Sequence, residues 1–461
     1  MKKTLMPHQE KALSFLREKA FCAGLFLAPG TGKTIIAIRS SLEYLPALVI
    51  CRRDDFLTWH KELTEEGYVL GEIMSILSAS SIKNLELVYC WTLVTYDMLK
   101  NKHVYNYITG RNYGIVFCDE SQAIKHWTSR RTKVVYKATR HIPRRIAMTG
   151  TPISNEILDV YSQCLFIDNG ITFGTNAWKF RNNYYIQSGP GWYPKKEAKR
   201  IVAEKLKTIS FHVHEDDVLN LPPIRNVMKA VALSQEQKKH YTSVLNDWEL
   251  ELASDSKIDI NYIIVRLAKL KQIASGFVYI DHKPVFFREN KIPLLLELLQ
   301  SKDHLARKQK IVIWASYKAE LYRISRNFQK HDLCHVVYHG SMSTDDKNAT
   351  RELFRDDPHC RVFVGQADAG VGMNELTVAD TAIYMSNSFK IASRQQSERR
   401  IRRYGSENHS AITYYDIVTE RTVDLPILNS IRKGMDIAKE ILDSVKQTGS
   451  IKKALDIHTS L

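Results

Sequence analysis

The stretch Leu25-Phe26-Leu27-Ala28-Pro29-Gly30-Thr31-Gly32-Lys33-Thr34-Ile35-Ile36-Ala37-Ile38 decides the fold of this 461-residue chain. Its first three residues predict a buried strand, and the apolar residues after Thr34 predict a helix. The glycines between them let backbone N–H groups turn inward around phosphate, and the helix N-terminus favours an anion. The stretch therefore predicts a phosphate-binding loop, whose ATP-contacting residues are Pro29, Gly30, Thr31, Gly32, Lys33 and Thr34.

Two side chains of this loop have separate predicted roles. Lys33 is expected to reach the β- and γ-phosphates of ATP, and the Thr34 hydroxyl is expected to bind Mg²⁺. Loops of this kind usually begin with glycine, whereas Leu27 stands at that place here. A chance glycine-rich turn is the alternative, but the strand before the loop and the helix after it favour a nucleotide site.

A pair of acidic residues follows a second apolar run. Ile115-Val116-Phe117-Cys118 predicts a buried strand, which leads into Asp119 and Glu120. Because ligands bind at the carboxyl ends of parallel strands, both carboxylates are expected beside the phosphate loop. Asp119 is expected to act on the Mg²⁺ shell, and Glu120 to polarise the attacking water. The alternative is a strand end that merely caps a helix, which the upstream loop makes less favourable.

Short apolar runs fall into two groups, with helical patterns between the runs. The first group is residues 25–27, 47–50, 93–95, 115–118 and 145–148, and the second is 311–314, 336–338, 362–364, 383–385 and 412–415. This alternation predicts an α/β fold with two parallel sheets covered by helices. Residues 178–299 are mostly helical in pattern, interrupted by Leu221-Pro222-Pro223, which cannot continue a helix.

Composition points to a polyanionic partner. The chain has 66 Lys and Arg against 50 Asp and Glu, a formal charge of +16. Neutralising nucleic-acid phosphates releases condensed counterions, so such an excess favours a nucleic acid.

Seven cysteines without C-x-x-C spacing favour a reducing compartment. Neither a signal peptide nor a transmembrane segment is evident, so a cytoplasmic protein is expected, in the host cytoplasm if it is viral.

The motifs resemble those of superfamily-two helicases, and within them the compact viral or bacterial type of Swi/Snf-like DNA translocase. In the first half, Leu5-Met6-Pro7-His8-Gln9 looks like the segment whose glutamine reads adenine, so Gln9 joins the ATP site. Asp119-Glu120-Ser121-Gln122 looks like the Asp-Glu-x-His box, with Gln122 in place of His. Thr149-Gly150-Thr151-Pro152-Ile153-Ser154-Asn155 is similar to the family's coupling motif.

The resemblance continues through the second half. The stretch from Gly365 to Asn374 resembles a second coupling motif, which carries Gly370, Gly372 and Asn374. The stretch Gln396-Ser397-Glu398-Arg399-Arg400-Ile401-Arg402-Arg403-Tyr404-Gly405 resembles the arginine-finger motif. The resemblance implies that Gln396 is a coupling residue, and the spacing Gln-x-x-x-Arg-x-x-Arg makes Arg400, rather than Arg399, the first finger and Arg403 the second. Ser406 follows where the family has Gln. A solvated basic helix face is the alternative.

The resemblance implies two RecA-like parallel-sheet lobes joined by a mostly helical connector, with the ATP site in the interlobe cleft. We expect a first lobe over 1–175, a helical connector with a small protrusion over 176–290, a second lobe over 291–440 and a C-terminal helical tail over 441–461. The catalytic set is Lys33, Asp119, Glu120, Gln122, Arg400 and Arg403, with coupling through Thr149, Gly150, Thr151 and the second motif. The cofactors are ATP and Mg²⁺, the latter held by Thr34 and Asp119.

The implied function is ATP-dependent movement on duplex or branched DNA, in recombination, fork remodelling or repair. Contacts should be mostly to phosphate and so largely independent of sequence. The candidate DNA contacts are Arg52, Arg53, Tyr96, Lys125, Ser316 and Lys318. The aromatic residues Trp127, Trp178, Trp192 and Tyr185 are further candidates for stacking bases, although such residues more often lie in a core.

Three other functions remain open on the sequence. The Leu27 and Gln122 departures also suit a nucleotide-gated DNA-binding scaffold with weak hydrolysis. A motor subunit of a restriction or nuclease system would share the same motifs, although no nuclease cluster is evident. An RNA helicase is the third, because charge alone cannot distinguish DNA from RNA. A zinc site at His212, His214 and Asp216 is rejected because no partner spacing supports it.

Overall fold

The computed structural model describes residues 4–82, 89–153, 156–188, 191–213, 220–254, 260–300, 309–369, 375–435 and 437–459. The chain forms two compact units, Met1–Asn220 and Leu221–Leu461. Three groups of sequence predictions lie outside the described residues: Ser154 with Asn155, His214 with Asp216, and Gly370, Gly372 and Asn374.

A parallel sheet is the centre of the first unit. Its strands are β1 (Cys22–Leu27), β2 (Ala47–Cys51), β3 (Ile73–Ile76), β4 (Trp91–Thr95), β5 (Ile115–Asp119), β6 (Arg144–Met148) and β9 (Ser210–Val213). They lie in the order β3-β4-β2-β5-β6-β1-β9, and each neighbouring pair is parallel. A parallel sheet is buried on both faces, which explains the nearly continuous apolar runs of its central strands.

Helices cover both faces of this sheet. They are α1 (Pro7–Glu18), α2 (Lys33–Ser40), α3 (Phe56–Glu65), α4 (Lys102–Thr109), α5 (Arg130–Thr139), α6 (Tyr161–Asp168), α7 (Ala177–Tyr184) and α8 (Ala198–Ile209). Successive residues of a strand point to opposite faces. Accordingly Phe26 joins one core cluster, whereas Leu25 and Leu27 join the other.

A small antiparallel hairpin lies between α7 and α8. It consists of β7 (Tyr185–Ser188) and β8 (Gly191–Pro194). In its register Ile186 faces Tyr193 and Gln187 faces Trp192. Because side chains alternate along a strand, Ile186 and Tyr193 share one face, and Tyr185 and Trp192 the other.

The second unit is built on another parallel sheet. Its strands are β10 (Ile224–Val231), β13 (Lys310–Ala315), β14 (His335–Tyr338), β15 (Val362–Gln366), β16 (Ala379–Tyr384) and β17 (Ile412–Thr419). They lie in the order β10-β17-β16-β13-β15-β14, with parallel pairing throughout the described strands. β10 pairs along its whole length with β17, so the chain enters this unit as an edge strand.

Helices and a second hairpin complete the described part of this unit. The helices are α9 (Gln235–Ser254), α10 (Ile260–Ala274), α11 (Lys291–Gln300), α12 (Lys318–Lys330), α13 (Thr344–Asp356), α14 (Ile391–Ile401), α15 (Asp424–Lys433), α16 (Ile437–Thr448) and α17 (Ile451–Thr459), and the hairpin is β11 (Phe277–Ile280) with β12 (Lys283–Phe286). Helices α9, α10, α16 and α17 bury a core of their own, which contains Trp248, Leu267, Ile441 and Ile451.

The sequence prediction of two parallel-sheet lobes is confirmed. Every predicted strand run of the first group lies on β1, β2, β4, β5 or β6. The runs of the second group lie on β13 to β17, with Met385 one residue beyond the end of β16. Within the described residues, the helices are either too short or too polar to cross a lipid bilayer.

Candidate functional site

The phosphate loop joins β1 to α2. Strand β1 ends at Leu27, and α2 begins at Lys33. Gly30 and Gly32 have φ angles of 84° and 85°, in the left-handed region that glycine adopts without steric cost. A Cβ atom at Gly32 would also collide with the side chain of Gln9. Both glycines are therefore required by the path of the backbone.

The N-terminus of α1 is attached to this loop. The Gln9 amide donates a hydrogen bond to the Thr31 carbonyl at 3.1 Å, and His8 Nε2 lies 2.8 Å from the same oxygen. Gln9 Oε1 accepts from the Met6 backbone N–H at 2.9 Å. Gln9, the residue predicted to read adenine, thus contacts the phosphate loop, and both polar atoms of its side-chain amide are hydrogen-bonded.

The geometry of Lys33 explains why Leu27 is tolerated in place of glycine. Lys33 Nζ donates to the carbonyls of Leu27 at 2.9 Å and Ala28 at 3.3 Å. The Leu27 side chain is fully buried in the core of the first unit. This position therefore supplies a core side chain and a backbone oxygen for the lysine, and neither role requires glycine.

Asp119 is held in one orientation at the end of β5. Its Oδ2 accepts from the Trp59 indole N–H at 2.9 Å, and its Oδ1 accepts from the Glu120 N–H at 3.0 Å. The Tyr96 hydroxyl donates to its backbone carbonyl. Burial and the neighbouring Glu120 raise the pKa of Asp119 to about 6, whereas Trp59 and Lys33 act to lower it.

The donor set near the loop suits Mg²⁺. Magnesium prefers carboxylate and hydroxyl oxygens and keeps several waters, and Asp119 and Thr34 offer such oxygens at the ends of β5 and the loop. Both Asp119 oxygens already accept hydrogen bonds, which fits a carboxylate that orients metal-bound water.

Trp59 is a positioning residue that the sequence motifs do not single out. Trp59→Phe keeps an aromatic ring beside Trp91 and Phe117 but removes the donor to Asp119. A hydrogen bond to a charged group contributes about 1.5–3 kcal/mol. We expect the apparent affinity for Mg²⁺ to fall about ten-fold or more, measured by titrating Mg²⁺ against binding of a fluorescent ATP analogue. Trp91→Phe, in the same aromatic cluster, is the matched control, and equal effects of the two substitutions would contradict this role.

A chain of hydrogen bonds connects the acidic pair to the first coupling motif. Gln122 Nε2 donates to Glu120 Oε2 at 2.5 Å, and the Thr149 hydroxyl donates to Gln122 Oε1 at 2.5 Å. The Thr151 N–H in turn donates to Thr149 Oγ1 at 3.0 Å. An amide offers both a donor and an acceptor, so Gln122 bridges Glu120 and Thr149 where the resembled family has His.

The coupling motif also packs directly against the phosphate loop. A Cβ atom at Gly150 would lie 3.0 Å from Pro29 Cδ and 3.3 Å from the Leu27 carbonyl. Gln163, which is fully buried, donates to the Pro152 carbonyl at 2.8 Å and accepts from Ser121 Oγ at 2.7 Å. Sequence reasoning missed Gln163, because a polar residue within a mostly apolar helix gives no spacing signal.

Two of the predicted DNA contacts of the first unit, Arg52 and Arg53, line a cavity of about 480 Å³ at the carboxyl ends of β2, β4 and β5. Thr95, Asp97 and Arg131 are among its other lining residues. Arg131 was not predicted; its guanidinium lies 3.0 Å from Asp97.

The other two predicted contacts of this unit have partners within it. Tyr96 also lines the cavity, but it is buried and its hydroxyl is bonded to Asp119. Lys125 lies outside the cavity lining, with its Nζ 3.5 Å from Asp159.

Ser316 and Lys318 lie just beyond β13 in the second unit. Ser316 Oγ accepts from Lys271 Nζ at 2.9 Å and contacts the Ser386 carbonyl at 3.3 Å. Burial lowers the pKa of Lys271 to about 8, and the Tyr317 and Phe389 rings lie 4.9 and 5.1 Å from its ammonium. Lys318 is exposed, with its Nζ 2.6 Å from Ser341 Oγ. Lys271 therefore holds Ser316 in place.

The two predicted fingers differ in burial. Arg400 is buried, donates to the Ala367 carbonyl at 3.0 Å and the Ala369 carbonyl at 3.4 Å, and lies 5.4 Å over the Trp314 ring. Burial lowers its pKa to about 10.

Arg403 is half-buried just after α14. Its backbone N–H donates to Ser406 Oγ at 3.1 Å, and that hydroxyl donates back to the Arg403 carbonyl at 2.7 Å. Ser406, which departs from the family pattern, closes this turn. Gln396 is half-buried on α14.

Two family models match the chain: the SNF2-related domain over residues 8–276 and the helicase conserved C-terminal domain over residues 290–405. An uncharacterized ATP-dependent helicase of Mycoplasma genitalium is 23% identical over 95% of this chain and 42% of its own length. A DNA repair and recombination protein RAD54-like of Drosophila ananassae is 23% identical over 95% of this chain and 63% of its own length. This chain thus spans about half the length of such curated relatives.

Among solved structures, the chain is similar to the Sulfolobus solfataricus SWI2/SNF2 ATPase core in complex with dsDNA. The identity is 22%, the TM-score is 0.46, and the match covers 99% of this chain and 97% of that chain.

Proposed function

Because the chain belongs to the SNF2-related family, we propose that it is an ATP-dependent DNA translocase or helicase that moves on duplex or branched DNA. The observation that carries the proposal is the hydrogen-bonded chain from Glu120 through Gln122 to Thr149. It joins a water-polarising carboxylate to a segment packed on the phosphate loop. A change at the γ-phosphate can therefore be passed to the rest of the unit.

In this proposal the first unit holds the nucleotide. The phosphate loop and Lys33 bind the phosphates, and Gln9 contacts the adenine. Thr34 and Asp119 would hold Mg²⁺, which would supply positive charge to neutralise the bound phosphates. Glu120 orients the attacking water, and Gln122 keeps the Glu120 carboxylate in position. Arg403 of the second unit supplies positive charge at the γ-phosphate during hydrolysis.

DNA is proposed to bind through its phosphates. The arginines around the cavity at the ends of β2, β4 and β5 supply positive charge on the first unit. Lys318 and Ser316 supply a cation and a hydroxyl on the second. Contacts of these types position a backbone without reading its sequence. Tyr96 is proposed to act through Asp119, because its hydroxyl is bonded to the Asp119 carbonyl.

We propose recombination, fork remodelling or repair as the setting in which this motor acts. The Drosophila ananassae relative is named a DNA repair and recombination protein. The formal charge of +16 favours a polyanionic partner such as DNA. Both observations support this setting.

ATP turnover measured with and without nucleic acid tests the proposal. Duplex or branched DNA should raise turnover many-fold, and raise it more than RNA of the same length. Glu120→Gln should abolish the stimulated rate while ATP still binds, because the amide cannot polarise water as a carboxylate does. Unchanged turnover at saturating DNA would refute the motor. Equal single-turnover rates of wild type and Glu120→Gln would favour a nucleotide-gated scaffold, and stronger stimulation by RNA would favour an RNA helicase.

A further inference from the structure

An aromatic and basic cluster lies on the first unit, outside the nucleotide site. Arg181 of α7 lies 4.5 Å over the Trp192 ring and 5.7 Å over the Trp178 ring. The Trp178 and Trp127 rings meet edge-on at 5.7 Å. A guanidinium between two indoles fixes all three side chains, so the cluster is organised before any ligand arrives.

The hairpin β7–β8 carries Trp192 on its anchored face, opposite the exposed side chains of Ile186 and Tyr193. That face is anchored because Tyr185, which shares it, is buried and its hydroxyl accepts from the Leu158 N–H at 3.0 Å. Trp178 of α7 is 53% exposed. The exposed Trp178 ring is therefore joined through Arg181 to a fixed support.

The charge around the hairpin is strongly positive. Residues 177–209 contain eight Lys and Arg but only two Glu. Both glutamates, Glu197 and Glu204, lie within 2.9 Å of the guanidinium of Arg200. Lys179, Lys195, Lys196 and Lys199 are exposed. This surface is complementary to a polyanion, whereas an apolar protein partner would have to desolvate several ammonium groups.

A short segment of chain joins the cluster to the edge of the sheet where DNA is proposed to bind. Trp127 comes four residues after Ala123, which lines the cavity at the ends of β2, β4 and β5. Tyr185 also contacts Glu156 at 3.3 Å, in the segment that follows the first coupling motif. A strand that leaves the main DNA path at this edge would meet the hairpin next.

We propose that the surface formed by Trp178, Arg181 and Trp192 stacks an unpaired base at a single-strand–duplex junction of DNA. Exposed aromatic rings interleaved with cations bind single strands in this way, since every base presents a π-face. The surface would give the protein a preference for branched over continuous duplex DNA. The inference rests on the proposed function, because it assigns a second contact to the same DNA-bound motor.

The test uses the full chain and two DNAs of equal length, a fork and a blunt duplex. The fork carries 2-aminopurine at its first unpaired position, and the emission of this base falls when it stacks. In Trp178→Ala the emission loss should disappear and affinity for the fork should drop about five-fold or more, since one stacked base is worth about 1–3 kcal/mol. Affinity for the blunt duplex and duplex-stimulated ATP turnover should not change. Leu70→Ala, at an apolar residue 70% exposed on the same unit, is the control.

The outcomes separate the inference from the proposed function. Equal losses on fork and duplex would mean a general phosphate contact and would overturn the stacking role. Unchanged fork binding and an unchanged 2-aminopurine signal would overturn the surface as a DNA site and leave it for a protein partner. Both results would leave the motor intact, provided that duplex DNA still stimulates ATP turnover. Absence of stimulation by any DNA in the wild type would refute the motor itself.

Discussion

Replacing Lys33 with alanine should abolish ATP turnover, with a fall of at least about 10²–10³-fold, while most of the DNA affinity remains. The magnitude follows from the loss of one positioned charge at the transferring phosphate. Lys33 is the loop cation, and its Nζ lies against the carbonyls of Leu27 and Ala28. The proposed DNA contacts at the ends of β2 and β4 do not include it. Phosphate release with and without DNA measures the first effect, and fluorescence anisotropy measures the second.

The controls for Lys33→Ala separate chemistry from folding. Lys61→Ala removes a lysine whose side chain is 75% exposed on the same unit, and it should leave turnover unchanged. The thermal midpoint of Lys33→Ala should stay close to that of the wild type if only phosphate binding is lost. Turnover that persists in Lys33→Ala would contradict the assignment of the phosphate loop.

The central strands of both sheets were predictable, and the missed strands lie at sheet edges. Strands β3, β9 and β10 each end a sheet, and none was among the predicted apolar runs. An edge strand is covered less completely than a central one, so its sequence need not be continuously apolar. Strand β10 shows this, since most of its residues are exposed and it includes Arg225, Asn226 and Lys229.

The nucleotide-site candidates could be predicted from the sequence because each is a short contiguous motif that follows a predicted strand. Contacts between residues far apart in the sequence could not be predicted. Trp59 reaches Asp119 across 60 positions, and Lys271 reaches Ser316 across 45. Only the folded chain brings such pairs together, and neither tryptophan nor lysine has a spacing rule that marks it as a positioning residue. Tyr96, predicted to contact DNA, lines the cavity but is itself buried, and its hydroxyl is bonded to the Asp119 carbonyl.

The difference in burial between Arg400 and Arg403 predicts different consequences for two similar substitutions. Arg403→Ala should lower DNA-stimulated turnover by about 10³–10⁵-fold, the contribution of an arginine finger, and leave the thermal midpoint unchanged. Arg400→Ala should lower turnover and also the midpoint, because Arg400 is buried and donates to the Ala367 and Ala369 carbonyls. Removing it leaves the half-buried Ala367 carbonyl and the buried Ala369 carbonyl without this donor, and an unsatisfied buried acceptor costs about 1–3 kcal/mol of stability.

Measuring DNA-stimulated turnover and the thermal midpoint of Arg403→Ala and Arg400→Ala decides which arginine acts at the γ-phosphate. Arg326→Ala, on α12 of the same unit, controls for the loss of a positive charge. If Arg403→Ala retained turnover while Arg400→Ala lost it at an unchanged midpoint, Arg400 would be the acting finger, and its side chain would have to leave its buried position in the catalytic state. If both variants retained turnover, the second unit would supply no arginine to hydrolysis, and the motor proposed here would need another source of charge at the γ-phosphate. A fall in turnover at an unchanged midpoint in Arg403→Ala, together with a lowered midpoint only in Arg400→Ala, would give Arg403 the chemical role and Arg400 the role of holding the segment at Ala367 and Ala369.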